Sequence, residues 1–319
     1  MDVAEGDWVN TSALPAFGTR HAVLQVQSVL FNNTIEDVER AVVAMARAAE
    51  LAITSGALSR VVLRYGDSGP LPALDEAGLA RIRGATRGAL AVEYDYFGAN
   101  LGSARGHNRL ADQAVEGTHF LWVQNPDVLV SPRLFETVLE PFDRAGVGQV
   151  EAKQLPIEHP KDYDASTGET AWATTACVMI PLSLFRSING FDADTFFLYC
   201  DDVDLSFRIR EVGFRVLFQP AAVCFHDKRL SPSGGWLPTG AEHFYSAEAG
   251  LMMAHKWSRP DLVDQILGYF TKSDDPVLRR AAGGFLSRRA AGTLPEPRDP
   301  NHTVAEFHGH LYAKHRFAL

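Results

Sequence analysis

The feature that most constrains the fold of this sequence is a regular alternation of short apolar runs with longer amphipathic segments, from Ala22 to Gln124. The longer segments predict helices over Ile35 to about Ser55 and over Ser103 to Glu116. Alternation of this kind predicts an α/β fold with a Rossmann-like, mostly parallel central sheet flanked by helices. The apolar runs predict strands at Ala22 to Phe31, Ser59 to Tyr65, Leu90 to Tyr96 and Thr118 to Gln124.

The second half of the chain has weaker strand signals and ends in helical patterns. Strands are predicted over Val150 to Leu155, over Thr174 to Pro181 and over Val216 to Phe225, the last interrupted at Pro220. A helix is predicted from about Asp201 to Val212, and helical patterns dominate from Glu242 onward. We expect an irregular leader (1–21), an α/β domain (22–241) with halves 22–127 and 128–241, and a helical extension with a tail (242–319).

Charge and composition exclude several classes of protein. The net charge of −9 and the isoelectric point near 5.7 argue against a nucleic-acid partner, which needs a basic surface. No apolar run of the length of a membrane span is present, and the N-terminal residues lack a secretory signal. Three widely spaced cysteines fit a reducing compartment. We expect a cytoplasmic protein without a transmembrane segment, or one peripheral to the inner membrane surface.

Polar residues follow three of the predicted strands. Phe31-Asn-Asn33 follows the first strand, Asp67-Ser68 the second, and Asn125-Pro-Asp127 the fourth. Ligands of open α/β sheets bind outside the carboxyl ends of the strands. These residues therefore mark the predicted ligand site.

Two residues are candidate metal ligands. The carboxylate of Asp127, directly after a buried strand, suits Mg²⁺ or Mn²⁺, although an Asx turn that caps a helix over Ser131 to Glu140 is the commoner explanation of such a residue taken alone. His226 ends an apolar strand and is a candidate second ligand. A histidine at the end of an apolar strand is more often a core or rim residue with its hydrogen bonds satisfied than a metal ligand.

Two further stretches bear on chemistry. Asp201, Asp202 and Asp204 occupy the first turn of a predicted helix, where the helix dipole favours acids, yet three acids exceed what a cap requires. The alternative interpretation is that one of these acids is a catalytic base. In the stretch from Asn100 to Asn108, small residues precede a helix, so that backbone N–H groups can approach a phosphate or sugar.

In this order, the motifs resemble those of the inverting glycosyltransferases of family 2 with the GT-A fold, and in particular its rhamnosyltransferase-like members. The resemblance covers roughly residues 22–226. The matching stretches are Phe31-Asn-Asn, Asn100 to Asn108, Asn125-Pro-Asp127-Val, Gly190-Phe-Asp192, Phe196 to Arg208, Gly213 and Pro220 to His226.

The resemblance implies roles at matching positions. Asp127 stands at the position of the metal-binding aspartate, and Asn125 replaces the first acid of that motif. Asp202 matches the catalytic base, and Asp201 replaces the glutamate that usually precedes it. His226 matches a histidine that can complete a site for Mg²⁺ or Mn²⁺. The half 22–127 would bind the nucleotide sugar, and the half 128–241 the acceptor.

The implied reaction is metal-dependent, inverting transfer of a sugar from a dTDP-, UDP- or GDP-linked donor to a hydroxyl group. The acceptor would be a sugar, a lipid-linked glycan or a small natural product, and a homodimer is compatible with the sequence. Tyr65 stands where the family has an aspartate that contacts the base, so the base is left open. The predicted donor-binding residues are Phe31, Asn33, Asp67, Ser68, Asn100, Gly102, Arg105, Asn108 and Asn125.

A segment rich in serine, proline and glycine (227–241) predicts a lid. Its Trp236 is predicted either to stack on a sugar or to pack on the core, and Asp204 is predicted to contact the acceptor.

Two alternatives to a glycosyltransferase remain. A nucleotidyltransferase would need a glycine-rich, basic signature after the first strand, and a calcium- or sugar-binding module would need different acid spacing.

Overall fold

A central sheet flanked by helices forms most of the molecule in a computed structural model that describes residues 14–159, 162–226 and 239–309. The strands are β1 (Ala22–Leu30), β2 (Leu58–Asp67), β3 (Ala91–Tyr96), β4 (Phe120–Gln124), β5 (Val128–Val130), β6 (Val147–Leu155), β7 (Glu169–Thr170), β8 (Cys177–Pro181) and β9 (Arg215–His226). The α-helices are α1 (Ile35–Thr54), α2 (Glu76–Ala85), α3 (Gly102–Asp112), α4 (Leu134–Leu139), α5 (Leu182–Ser187), α6 (Asp201–Glu211), α7 (Gly240–Lys256), α8 (Pro260–Phe270) and α9 (Pro276–Ala291).

The strand order is β3-β2-β1-β4-β8-β6-β9-β5, with β7 beside β9. The first four strands of this order are parallel, as the alternating sequence predicts. Strand β8 runs antiparallel to both β4 and β6, and β9 is parallel to β6. The α/β prediction with a mostly parallel sheet is confirmed, and each antiparallel pair includes β8 or β9.

Helix α1 shows how the sequence covers one face of the sheet. The side chain of Thr34 accepts a hydrogen bond from the backbone N–H of Asp37 and so caps the helix. Val38, Val42 and Met45 recur at helical spacing and are fully buried. The capped end of α1 therefore lies beside the carboxyl end of β1.

Strand β9 contains a bulge at Pro220. Ala152 of β6 pairs with Gln219, but the next residue of β6, Lys153, pairs with Val223. Residues 220–222 are thus extra, and Pro220 has no N–H to donate to a ladder. Beyond the bulge β9 continues to His226.

The C-terminal helices pack against the end of the sheet domain. Residues of α7, α8 and α9 share one hydrophobic cluster with Phe196, Val203 and Phe207. A capping box of Thr239 and Glu242 starts α7.

Buried ion pairs also join α6 to α7. Lys256 Nζ lies 2.7 Å from Asp192 Oδ2 and also contacts Asp204. Arg208 Nε donates to Asp204 Oδ2 at 2.8 Å, and Trp257 Nε1 donates to Asp204 Oδ1 at 3.1 Å.

Several local expectations differ from the structure. The backbone turns directly before α6, where no turn was predicted, because Tyr199 and Cys200 both have positive φ (67° and 59°). The helix predicted over Ser131 to Glu140 is shorter, at Leu134–Leu139. The structure also contains α2, α5, β5 and β7, which were not predicted from the sequence. The predicted lid, including Trp236, falls largely in 227–238, which lies outside the described residues. No helix in the described part of the chain is both long and apolar enough to cross a membrane.

Candidate active site

The two predicted metal ligands meet at the ends of β4 and β9. Nε2 of His226 lies 3.4 Å from Oδ1 of Asp127, and also 3.4 Å from Nδ2 of Asn125, which is 101 residues earlier in the chain. The His226 side chain is only 7% exposed, whereas that of Asp127 is 42% exposed. A buried imidazole therefore faces a solvent-accessible carboxylate.

This pair fits a divalent cation. Carboxylate oxygen and imidazole nitrogen both ligate Mn²⁺, and Mg²⁺ is usually held by one or two carboxylates with substrate phosphates and water. Within residues 14–159, 162–226 and 239–309, no cluster of three or more His, Cys, Asp or Glu side chains could hold a metal on its own. A cation at Asp127 and His226 would therefore need further oxygen ligands, which a diphosphate and water can supply.

A cavity of about 380 Å³ opens beside this pair. Its volume falls in the range of about 300–1,000 Å³ that is typical of small-molecule sites. The cavity runs toward the first turns of α1. It is lined by Asn33, Asp37, Arg40, Asp127, Leu129, Pro156, Phe225 and His226.

Asp201 and Asp202 form the first turn of α6, and each is buried at 4% exposure. Hydrogen bonds connect this turn to the end of β4. Ser206 Oγ donates to the carbonyl of Asp202 at 2.8 Å and accepts from Ala173 N–H at 3.0 Å. Three residues further on, the carbonyl of Ala176 accepts from Asn125 N–H at 3.0 Å. The segment 173–176 thus ties the acidic turn to the motif that carries Asp127.

Asp204 has a different role from its two neighbours. Its carboxylate is fully buried and is bound by Arg208, Trp257 and Lys256. Lys256 and Trp257 thereby hold α6 to the end of α7. Asp204 thus has a structural role, and the acceptor contact predicted from the sequence stays a prediction.

The glycine-rich stretch packs against the loop that precedes the acidic turn. Gly102 has φ +69°, and a Cβ there would lie 2.3 Å from the carbonyl oxygen of Phe197. Ser103 N–H donates to that oxygen at 3.1 Å, and Asn100 Oδ1 accepts from Gly102 N–H at 3.0 Å. This close approach explains the glycine in physical terms.

Two other residues of the stretch hold the same loop. The amide of Asn108 both accepts from and donates to the backbone of Phe191, at 2.8 Å each. Arg105 pairs with Asp194 at 2.7 Å on the surface. In this structure their polar atoms bind protein, and donor contact by Arg105 and Asn108 stays a prediction.

The residues after β1 and β2 divide into exposed and buried ones. Asp67 is fully buried and accepts from Gly69 N–H (2.8 Å), Ala73 N–H (2.7 Å) and Tyr94 Oη (2.5 Å), so it fixes the loop 68–73. Ser68 Oγ accepts from Leu101 N–H at 3.3 Å.

Phe31, by contrast, is 50% exposed, and its N–H donates to Asn33 Oδ1 at 2.9 Å. Tyr65 is buried at 1% exposure.

Sequence reasoning missed three residues of this region. Asp37 and Arg40 line the cavity, but on α1 they look like an ordinary surface pair one turn apart. Gln154, at the end of β6, lies 2.7 Å from His226 through its Oε1. The signal that could have found it is the alternation of Gln154 with Val150 and Ala152, because a glutamine on the apolar face of a strand is a buried amide that needs a partner.

Comparison with known proteins supports the family resemblance over a short stretch. No family model matches the chain. The chain is 31% identical over 68 residues to the N-acetylglucosaminyl-diphospho-decaprenol L-rhamnosyltransferase of Mycobacterium tuberculosis. These 68 residues are 21% of this chain and 22% of that protein. It is 33% identical over 67 residues to rhamnosyltransferase WbbL of Escherichia coli K12, covering 21% and 25%. The chain thus matches only a quarter or less of each relative's length.

Solved structures extend the similarity to most of the chain. S. aureus TarS (residues 1–349) superposes with a TM-score of 0.51 at 10% identity, covering 84% of this chain and 72% of that one. GalNAc-T7, solved with UDP, GalNAc and Mn²⁺, has a TM-score of 0.57 at 12% identity, covering 90% and 60%. The chain has the GT-A fold, and its resemblance to glycosyltransferases of family 2 is confirmed.

Proposed function

We propose that this protein is a metal-dependent, inverting glycosyltransferase that moves a sugar from a nucleotide-diphosphate donor to an acceptor hydroxyl. The observation that carries the proposal is the Asp127–His226 pair, 3.4 Å apart beside a cavity of about 380 Å³, on a GT-A fold. In this proposal residues 22–127 bind the donor and residues 128–241 serve the acceptor and the chemistry.

Asp127 and His226 would hold Mg²⁺ or Mn²⁺. When bound, the cation supplies charge neutralisation for the diphosphate that leaves. Support comes from the donor types of the two side chains and from Mn²⁺ in the solved GalNAc-T7 structure. Of the predicted donor-binding residues, Phe31, Asn100, Arg105 and Asn125 are exposed, and Asn33 lines the cavity beside Asp127.

Asp202 is the proposed base. It takes the proton of the acceptor hydroxyl while that oxygen bonds to the anomeric carbon and the carbon–oxygen bond to the diphosphate breaks. A single displacement of this kind inverts the configuration at carbon, since no enzyme nucleophile intervenes. Asp201, one residue earlier in the same buried turn, is proposed to assist it.

The relatives narrow the substrates that are worth testing. Both curated relatives are named rhamnosyltransferases, and one is named for a diphosphate-lipid acceptor. We therefore propose dTDP-linked deoxysugars as the first donors to test, followed by UDP- and GDP-sugars. Lipid-linked acceptors come before free sugars and natural products. A cytoplasmic or membrane-peripheral location and a homodimer stay predictions.

The test is a donor screen with and without metal. The protein is incubated with dTDP-, UDP- and GDP-sugars in Mn²⁺ or in chelator, and release of nucleoside diphosphate is measured. We expect slow, Mn²⁺-dependent release from one donor class, and its loss in Asp127→Ala. Equal release in chelator would contradict the metal site. Release of pyrophosphate from a nucleoside triphosphate and a sugar phosphate would indicate a nucleotidyltransferase. Absence of any turnover would indicate a binding module.

A further inference from the structure

The side chain of Gln154 contacts the imidazole of His226 on the ring nitrogen that does not face Asp127. Oε1 of Gln154 lies 2.7 Å from Nδ1 of His226. Gln154 is fully buried, and His226 is 6% exposed. Gln154 pairs with Cys224 across β6 and β9. Because alternate residues of a strand share a face, His226 projects from the same side of the sheet as Cys224.

The backbone of Gln154 is held independently of His226. Its backbone N–H donates to Oε2 of Glu158 at 2.7 Å, at the turn that follows β6. Its side-chain Nε2 is buried and makes no hydrogen bond with the described residues. Among the described residues, this buried amide is therefore bonded through its oxygen, which accepts from His226.

This contact decides which nitrogen of His226 carries the proton. An amide oxygen only accepts hydrogen bonds, so Nδ1 must donate to it, and the neutral ring then has its lone pair on Nε2. Nε2 is the atom 3.4 Å from Asp127 Oδ1. The amide of Asn125, 3.4 Å away, is a donor that suits a lone pair in this position.

We propose that Gln154 is a positioning residue for the metal site, which fixes the ring and the tautomer of His226 so that Nε2 can ligate the cation. The inference rests on the proposed function, because it assumes a cation at Asp127 and His226. Partners of this kind behind a histidine ligand typically contribute about 10–100-fold to metal affinity.

Two variants of nearly equal size separate positioning from packing. Gln154→Met removes the acceptor, whereas Gln154→Glu keeps an acceptor oxygen toward Nδ1. Affinity for Mn²⁺ is measured by electron paramagnetic resonance, alone and with UDP, GDP or dTDP. The tautomer of His226 is read from long-range ¹H–¹⁵N spectra of histidine-labelled protein, with His226→Asn for assignment. Thermal unfolding shows that each variant is folded.

We expect wild-type His226 to carry its proton on Nδ1. Gln154→Met should mix the tautomers and weaken Mn²⁺ binding about 10-fold or more, and Gln154→Glu should restore both. A wild-type spectrum with the proton on Nε2 would overturn the proposal, as would Mn²⁺ affinity unchanged in Gln154→Met but lost in Asp127→Ala. If Asp127→Ala and His226→Asn both keep wild-type affinity, the proposed metal site itself is wrong, and the positioning role goes with it.

Discussion

Nζ of Lys256 lies 2.6 Å from Oδ1 of Asp204, and both side chains are buried, at 4% and 0% exposure. Asp192 shares the same ammonium group at 2.7 Å. Burial alone would raise the pKa of Asp192, but the charge and hydrogen bond of Lys256, with a bond from Thr195, hold it below its usual value. One buried cation thus ties the loop before α6, α6 itself and the end of α7 together.

The first prediction concerns this ion pair. Lys256→Met should lower the free energy of unfolding by about 3–5 kcal/mol, because it leaves Asp192 without its cation and Asp204 paired with Arg208 alone. Urea unfolding measures the change. Arg47→Met is the control, because it breaks a pair whose side chains are both 58% exposed and should cost below about 1 kcal/mol. Equal costs in the two variants would show that the buried pair adds no stability.

The second prediction concerns the proposed base. Asp202→Asn should lower the rate of sugar transfer by about 10²–10⁴-fold, because the amide cannot take the proton of the acceptor hydroxyl. Affinity for the nucleoside diphosphate, measured by calorimetry, should change little. Asp194→Asn is the control, since that side chain is 91% exposed. Near wild-type turnover in Asp202→Asn would assign the base elsewhere.

The third prediction compares two glycines. Gly102 and Gly98 have φ of +69° and +70°, so alanine is similarly strained at both. At Gly98 an added Cβ meets no atom within 4 Å, whereas at Gly102 it lies 2.3 Å from the carbonyl oxygen of Phe197. Gly102→Ala should therefore cost about 1–3 kcal/mol more stability than Gly98→Ala.

Gly102→Ala should also reduce transfer, because the displaced loop leads into the acidic turn. Thermal unfolding and the donor assay of both variants measure the two effects. Matching stability and activity in the two alanine variants would contradict a role for close packing here.

The fourth prediction concerns pH. Burial lowers the pKa of His107 from 6.5 to about 3, so the folded protein keeps this ring neutral where the unfolded chain would protonate it. The stability that depends on the neutral ring is complete above about pH 6.5 and is lost as pH falls toward 3. Between pH 7 and pH 5 the loss amounts to about 2 kcal/mol. His107→Gln should remove that part of the slope in urea titrations at both pH values, and an unchanged slope would refute it.

Much of the parallel part of the sheet was predictable because its central strands, β1 and β4, are buried on both faces and are rich in apolar residues. The carboxyl ends of β1, β2 and β4 then follow from the chain itself, and with them the positions of Phe31, Asp67 and Asp127. Pairing of Asp127 with His226 needed the resemblance or the structure, since β9 reaches its place only through the mixed half of the sheet.

Other features could not be read from residue types. Asp202 and Asp204 are two positions apart in one acidic run. The carboxylate of Asp204 nevertheless forms an ion pair with Lys256, a residue of the C-terminal extension. Asn108 belongs to a stretch that suggests phosphate binding, but its amide is taken by the backbone of Phe191. Partners so distant in sequence leave no local pattern.

The bulge at 220–222 separates two parts of β9 that are each held in register by β6. Phe225, 53% exposed, and His226, 6% exposed, project to opposite faces because side chains alternate along a strand. Beyond the bulge, Cys224 pairs with Gln154, and this pairing sets the face on which His226 lies. A bulge of different length leaves that pairing in place, whereas one residue inserted between Cys224 and His226 would turn the imidazole away from Gln154. Related chains should therefore vary in the length of the bulge and keep the spacing from Cys224 to His226.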